Sequence, residues 1–205
     1  MFVRRGDPEE VLLETCGRPV CPDDEVLLID DDGRPVADGE VGELACRGPY
    51  TLRGYYGVPE YNARQFTPDG FYRSGDLMRK HPSGNYVVEG RKKDLINRGG
   101  EKISAEEVEN LILMHPAVQN VACVPMPDAA MGEKMCAFVI QKPDPARSAP
   151  LDLVELVSFL NGFEIARFKL PERLEVLADF PVSTFGKESK KDLGALIASK
   201  LAAQA

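Results

Sequence analysis

No run of 18 apolar residues occurs anywhere in the 205 residues of this sequence, so no membrane-spanning helix is expected. The opening stretch "MFVRRGDPEEVLLE" is charged and has no apolar segment of the kind a secretory signal needs. Positive charge is not in excess either. Lys and Arg number 25 against 33 Asp and Glu, a net charge of -8, which excludes a broad phosphate-tracking surface for nucleic acid but leaves room for one local anion site. The five cysteines (Cys16, Cys21, Cys46, Cys123, Cys136) are odd in number and never spaced C-x-x-C. Neither a disulfide framework nor a zinc site is expected from them, and they read as small buried residues in a reducing, cytoplasmic compartment. The common nucleotide signatures are missing as well. There is no G-x-G-x-x-G, and the pair Gly186-Lys187 is followed by Glu188, with no glycine five residues before it, so neither a Rossmann site nor a P-loop is present.

A hydrophobic content of 43% with 28% charged residues is that of an ordinary folded domain, and the length suffices for one large domain or two small ones. The first ninety residues read as β-rich and turn-rich. "EVLLIDDDGRPV" (25–36) predicts a hairpin around an Asp-Gly turn. "GEVGELACRGPYTLRGYYG" (39–57) spreads glycines through short apolar pieces, suiting bulged or barrel-like strands. "DGFYRSGDLMRKHPSGNYVVEGR" (69–91) predicts two strands around a His-Pro-Ser-Gly turn, and only a short helical turn is expected near Glu60 to Phe66.

Beyond Arg91 the pattern changes. Val108, Leu111 and Ile112 share a helical face within 105–114, with Ser104 as N-cap and Glu107 completing a capping box. Strands are predicted at 120–126, 133–140 and 172–180, a second helix over 151–162 ending at Gly162, and a last helix from about Glu188 to Ala203. The fold class is therefore α+β. The expected organisation is a β-rich part over 1–90, a boundary stretch over 91–96 and a small α+β domain over 97–205, with no internal repeat.

Three polar pieces carry chemistry. Asp76 in "YRSGDL" follows a Ser-Gly turn; such a residue ordinarily only steadies the turn, but an ionised carboxylate can also accept from both hydroxyls of a ribose. Arg91 to Lys93 is a charge run, by default a solvated loop, and Gly99-Gly100 ahead of a capped helix allows either a tight helix start or close passage of a ligand chain. Lys187 stands beside Gly186 in "PVSTFGKESKK", where a lysine on a flexed loop can reach a phosphate, although most lysines are solvated surface groups. Singly, none of the three assigns a function.

In order along the chain, "GELACRGPYTLRGYY", "YRSGDL", "GRKKDLINRGGEKISAEEVE" and "PVSTFGKESKK" resemble successive core motifs of the ANL adenylating superfamily of acyl- and aryl-CoA synthetases, peptide-synthetase adenylation domains and luciferases. The likeness runs from about Glu14 onward, and four motifs in this order are far more specific than any one. "GRPVCPDDEV", "HPAV", "MGEKMCAFVI" and "FKLPERLE" resemble in particular the stand-alone aryl acid–AMP ligases of siderophore biosynthesis, which adenylate 2,3-dihydroxybenzoate or salicylate with ATP and pass the acyl group to a carrier-protein phosphopantetheine thiol.

The resemblance implies roles for individual positions. Asp76 would hold the ribose hydroxyls of ATP, Arg91 would contact the same side of the nucleotide, and Val88 would pack near it. Lys93 would be the hinge about which a C-terminal domain rotates between half-reactions. Gly99 and Gly100 would line the pantetheine path, and Lys187 would be the catalytic lysine bridging the attacking carboxylate and the α-phosphate. The family's Ser/Thr/Gly-rich phosphate loop, acid pocket and Thr-Glu pair near ATP and Mg2+ have no counterpart in this sequence, and no metal ligand is expected. The expectation is thus the end of a large adenylation domain (a β-barrel-like remnant), a hinge and a whole small domain, inactive alone. Expected partners are an aryl acid and a carrier-protein phosphopantetheine or CoA, with no nucleic acid and no membrane. Two alternatives stand beside this: part of an acyl-CoA ligase or peptide-synthetase adenylation domain, and a non-catalytic module that docks a carrier protein.

Overall fold

The computed structural model describes residues 1–143, 149–182 and 186–204, in two compact units, Met1–Lys93 and Asp94–Ala205. The first unit runs α1 (Glu9–Glu14), β1 (Glu25–Ile29), β2 (Val41–Arg47), α2 (Pro59–Gln65), β3 (Tyr72–Lys80) and β4 (Tyr86–Arg91). Its sheet is an antiparallel meander in the order β1-β2-β3-β4, with β1 and β4 at the ends rather than closed into a barrel. The Asp-Gly turn forms as the sequence suggests: Arg34 N–H donates to the Asp30 carboxylate at 2.8 Å, and Gly33 sits at φ +80°. The return strand does not extend. Pro35 makes one bridge to Ile29, with Val36 N–H donating to Leu28 C=O at 2.9 Å, and β1 pairs with β2 along its other edge. The His-Pro-Ser-Gly turn is closed by His81 N–H to Asn85 C=O and Gly84 N–H to His81 C=O, both 2.8 Å. The helical turn near Glu60 is the short helix α2, and α1 was not foreseen.

The second unit begins with a hairpin, β5 (Leu95–Arg98) and β6 (Glu101–Ser104), followed by α3 (Ala105–Leu113), β7 (Val118–Asp128), β8 (Gly132–Gln141), α4 (Leu153–Leu160), β9 (Arg173–Val176) and α5 (Lys190–Ala202). Strand order is β6-β5-β8-β7, with β9 parallel to β8. Because side chains alternate across a strand, the continuous apolar runs of β7 and β8 feed two cores. Val121, Cys123, Met135, Ala137 and Val139 pack with Val108 and Ile112 of α3 and Leu156 and Leu160 of α4. Ala122, Val124, Met126, Cys136 and Phe138 pack with Leu193 and Ile197 of α5. The turn between β7 and β8 is set by Asp128, whose carboxylate accepts from Ala130 N–H (3.0 Å) and Met131 N–H (2.9 Å) and pairs with Lys134 at 2.7 Å. The bond from Lys134 and those backbone donors hold its pKa down to about 2.

Capping follows the sequence in part. The Ser104 hydroxyl accepts from Glu107 N–H at 3.4 Å, while the Glu107 carboxylate pairs with Lys169 at 2.7 Å. Asp152 and Ser189 cap α4 and α5 in the same way. Helix α4 ends earlier than its expected stop at Gly162, because Asn161 closes it in a right-handed conformation and Gly162 N–H bonds back to Phe159 C=O. Strand β9 covers only the start of 172–180; Leu177 N–H still reaches Val139 C=O at 2.9 Å before the chain turns away. Among the described residues no helix is long and apolar enough to cross a membrane.

Candidate functional site

Ser74, Gly75 and Asp76 form a bulge in β3. Opposite them β2 advances two residues, from Glu43 to Ala45, while β3 advances four, from Leu77 back to Arg73. Gly75 adopts φ +77°, a left-handed conformation that other residues occupy only with strain, and Asp76 N–H turns to the Ser74 hydroxyl at 3.0 Å. The bulge frees Asp76 from β2 and leaves it opposite Arg91 of β4. Arg91 Nε lies 3.0 Å from Asp76 Oδ1, with side-chain exposures of 57% and 29%, so the carboxylate is held yet open to solvent. A second irregularity, between Leu77 and Met78, gives β4 one extra residue at Glu89. It brings Val88, opposite Met78, and Arg91, opposite Asp76, to one face of the sheet, and Val88 is exposed there. The first unit therefore presents a carboxylate, a guanidinium and an apolar side chain together. A carboxylate that only accepts, steadied by a cation, fits the vicinal hydroxyls of a ribose.

Behind this pair lies a network that the sequence reading missed. Glu43 of β2 is 6% exposed, and its Oε2 accepts from Arg73 Nη2 at 2.8 Å, Arg73 Nε at 3.1 Å and Lys92 Nζ at 3.1 Å. Lys92 also pairs with Asp31 at 2.9 Å. Burial pushes the Glu43 carboxyl up, but the bonds from Arg73 and Lys92 outweigh it and hold it below the usual carboxylate range. The available signal was a single glutamate inside the apolar strand "VGELAC". Lys93, the predicted hinge, is exposed in a 3-10 turn over Lys92–Asp94, and it is the last residue of the first unit.

Gly99 and Gly100 are not at the start of the helix. They form the two-residue turn between β5 and β6, flanked by the pair Arg98–Glu101, and the helix starts only after β6. Both have positive φ, +60° and +99°, as a turn of this length and hand requires. Gly99 N–H donates to Met131 C=O at 2.8 Å, and a Cβ at Gly99 would lie 2.5 Å from the Met131 methyl; at Gly100 nothing stands within 4 Å. The four-residue strands "LINR" and "EKIS" are too short to show their alternation in sequence.

Lys187 is exposed and follows Gly186 at φ +72°. Residues 183–185, part of the same predicted loop, lie outside the described ones. The base of the loop is fastened by a bridge between Val182 and Glu188, a hydrogen bond from Asn120 to Glu188, and Ser189 N–H to Pro181 C=O at 2.8 Å. Lys190 is bound to Glu109 at 2.6 Å, and Glu109 also accepts from Cys123 N–H of β7. Lys187 has no ion pair among the described residues. No cluster of three or more His, Cys, Asp or Glu able to hold a metal is found among them either.

Known proteins match in two parts. The AMP-binding enzyme family matches residues 1–56, and the AMP-binding enzyme C-terminal domain matches residues 107–187. The salicylyl-CoA synthase / salicylate adenylyltransferase of a Streptomyces species is 52% identical over 97% of this chain. The 2,3-dihydroxybenzoate-AMP ligase of Bacillus subtilis is 49% identical over 98%. The chain spans 35% and 36% of those two proteins. Among solved structures, o-succinylbenzoate CoA synthetase of Bacillus subtilis in complex with its acyl-adenylate intermediate aligns with a TM-score of 0.79 at 28% identity, over 91% of this chain and 37% of that one. Two families matching in order, with about half of all positions shared over nearly the whole length, establish the relationship: the chain belongs to the AMP-binding enzymes of the ANL adenylating superfamily, and its second unit carries their C-terminal domain.

Proposed function

We propose that this chain is the C-terminal part of a cytoplasmic aryl acid–AMP ligase of siderophore biosynthesis, which activates salicylate or 2,3-dihydroxybenzoate with ATP and transfers the acyl group to a carrier-protein phosphopantetheine. The observation that carries this reading is the identity of about half of all positions, over nearly the whole chain, with proteins named for those two acids. In this assignment 1–90 ends the large adenylation domain, 91–96 is the hinge and 97–205 is the small domain. ATP, with its Mg2+, would supply the adenylyl group: a carboxylate oxygen of the acid bonds to the α-phosphorus, the bond to the β-phosphate oxygen breaks, and pyrophosphate leaves.

The residues have separate tasks. Asp76 accepts from the ribose hydroxyls, Arg91 keeps its carboxylate aligned and meets the nucleotide on the same side, and Val88 packs against it. Lys187 brings an ammonium between the attacking carboxylate and the α-phosphate, two anions whose approach is otherwise unfavourable; the gain is largest where water is excluded. Lys93 is the swivel that lets a second arrangement follow adenylation. The Gly99-Gly100 turn, with no side chain at its tip, borders the path of the thiol arm. No residue of this chain is assigned to the metal.

The 205-residue chain alone should not catalyse ATP–pyrophosphate exchange with either acid, because it has no phosphate loop. Robust exchange would overturn the reading of this chain as a part that is inactive by itself. A second reading, with CoA as acceptor, is favoured by the name of the Streptomyces relative and by the CoA synthetase among the structural neighbours. Offering a full-length enzyme that contains this sequence a holo-carrier protein and CoA in parallel separates the two.

A further inference from the structure

Lys92 has no task in the scheme above, yet it is one of the best-anchored cations in the first unit. Glu43 already has a guanidinium partner: Arg73 donates twice to the same oxygen, and that pair is neutral. Charge balance does not require a second cation. Lys92 nevertheless reaches that oxygen at 3.1 Å and Asp31 at 2.9 Å. The two carboxylates come from different places, Glu43 from β2 and Asp31 from the turn after β1, while Lys92 follows β4 directly. In the sheet, β3 separates β4 from β2. The side chain thus ties the last stretch of the first unit to elements two strands away. Burial alone would make the ammonium easier to discharge, but the bonds to Asp31 and Glu43 outweigh it and raise its pKa. One residue later the unit ends.

We propose that Glu43 and Asp31 grip Lys92 so that rotation of the second unit starts at Lys93 and goes no further back; Lys92 is a positioning residue for the swivel. The inference rests on the reading of Lys93 as the hinge. Without the grip, the 3-10 turn Lys92–Asp94 is tied to the first unit through the backbone at Arg91, and motion spreads into the Asp76–Arg91 pair. With it, the pair stays fixed while the chain beyond it turns.

The test is nuclear magnetic resonance on the 205-residue chain, comparing the unsubstituted protein with Lys92→Met and Lys92→Arg. Amide exchange and fast backbone order are read residue by residue across 87–97. Lys92→Met keeps an apolar stem, removes the ammonium and leaves the Glu43–Arg73 pair in place. In the unsubstituted chain, order is expected to extend through Lys92 and drop at Lys93. In Lys92→Met the drop moves back to Arg91 or Gly90, with exchange there faster by roughly tenfold, the effect of losing one charge-assisted bond. Lys92→Arg, whose fork can bridge both carboxylates, restores the original boundary. A purely stabilising contact would change the melting temperature without moving that boundary. A boundary that stays at Lys93 in Lys92→Met overturns the proposal. Relaxation also gives the tumbling time of each unit. If the two tumble as one body in the unsubstituted chain, the swivel itself is wrong and the grip with it, a result visible before any substitution is made.

Discussion

In Asp94–Ala205 the strands β7 and β8 are covered on one face by α3 and α4 and on the other by α5, and a cluster of buried apolar side chains fills each layer between. In Met1–Lys93 the buried apolar cluster is Ile29, Ala45 and Phe71, Glu43 is buried too, and Leu13, Tyr50 and Tyr56 stand largely in solvent. The second unit takes its shape from packing, which gains with every apolar atom covered. The first takes it from directional contacts: a glycine-dependent bulge at Gly75, ion pairs between strands, and Arg47 stacked 4.4 Å over Phe71. A frame held by packing resists local change. One held by polar contacts can place a carboxylate and a guanidinium at a chosen spot, at the expense of intrinsic stability.

Heating should therefore reveal two transitions, the lower belonging to the first unit. Phe138→Ala empties a fully buried site between β8 and α5 and should cost the second unit about 3 to 5 kcal/mol, moving only the upper transition in calorimetry. A single transition that shifts as a whole would break the comparison. Glu43→Gln should act on the other side. With the carboxylate gone, Arg73 and Lys92 lose charge-assisted bonds, and the lower transition should fall by about 2 kcal/mol while the upper stays.

A smaller and more local effect is expected in the β5–β6 turn. Gly99→Ala and Gly100→Ala each force a side chain into a left-handed conformation, at roughly 1 to 2 kcal/mol. Gly99→Ala should be the worse of the two, because its methyl meets Met131 while that of Gly100 meets nothing. Amide exchange in 95–104 would rank them, and the reverse order would show that space around Gly99 does not matter.

The smallest effect is a pH dependence. The folded pKa of Glu43 lies below its ordinary value of 4.5. Its stabilisation is accordingly complete above pH 4.5 and is lost as pH falls through the lower folded value. Glu175 in the second unit is shifted the same way: burial raises it, and Lys200 and Arg173 lower it by more. Both units should weaken in acid, but Glu43→Gln should flatten the pH dependence of the lower transition alone. Calorimetry between pH 3 and 6 reads both slopes, and equal slopes with and without Glu43 would remove it as the cause.

Much of this was legible in the sequence. Ser104, the Asp-Gly turn at 32–33 and the apolar faces of α3, α4 and α5 all declare themselves through local pattern. Asp76, Arg91 and Lys187 stood out only as members of an ordered set of motifs. The Glu43–Lys92 contact was invisible because it joins residues 49 apart, through a register that two irregular pairings decide. Gly99 and Gly100 showed their need for positive φ, but not that a hairpin, rather than a helix start, would use it.

The central claim is that Lys187, on the packed unit, performs chemistry for a nucleotide held by the polar one. It is tested most directly by replacing the matching 36% of the Bacillus subtilis 2,3-dihydroxybenzoate-AMP ligase with this chain, which is 49% identical to it there, and measuring dihydroxybenzoate-dependent pyrophosphate exchange. The chimera should exchange, and Lys187→Ala in it should lose roughly a hundredfold to a thousandfold, as expected for removal of one group that stabilises developing charge. An active chimera whose exchange is indifferent to Lys187→Ala would contradict the claim.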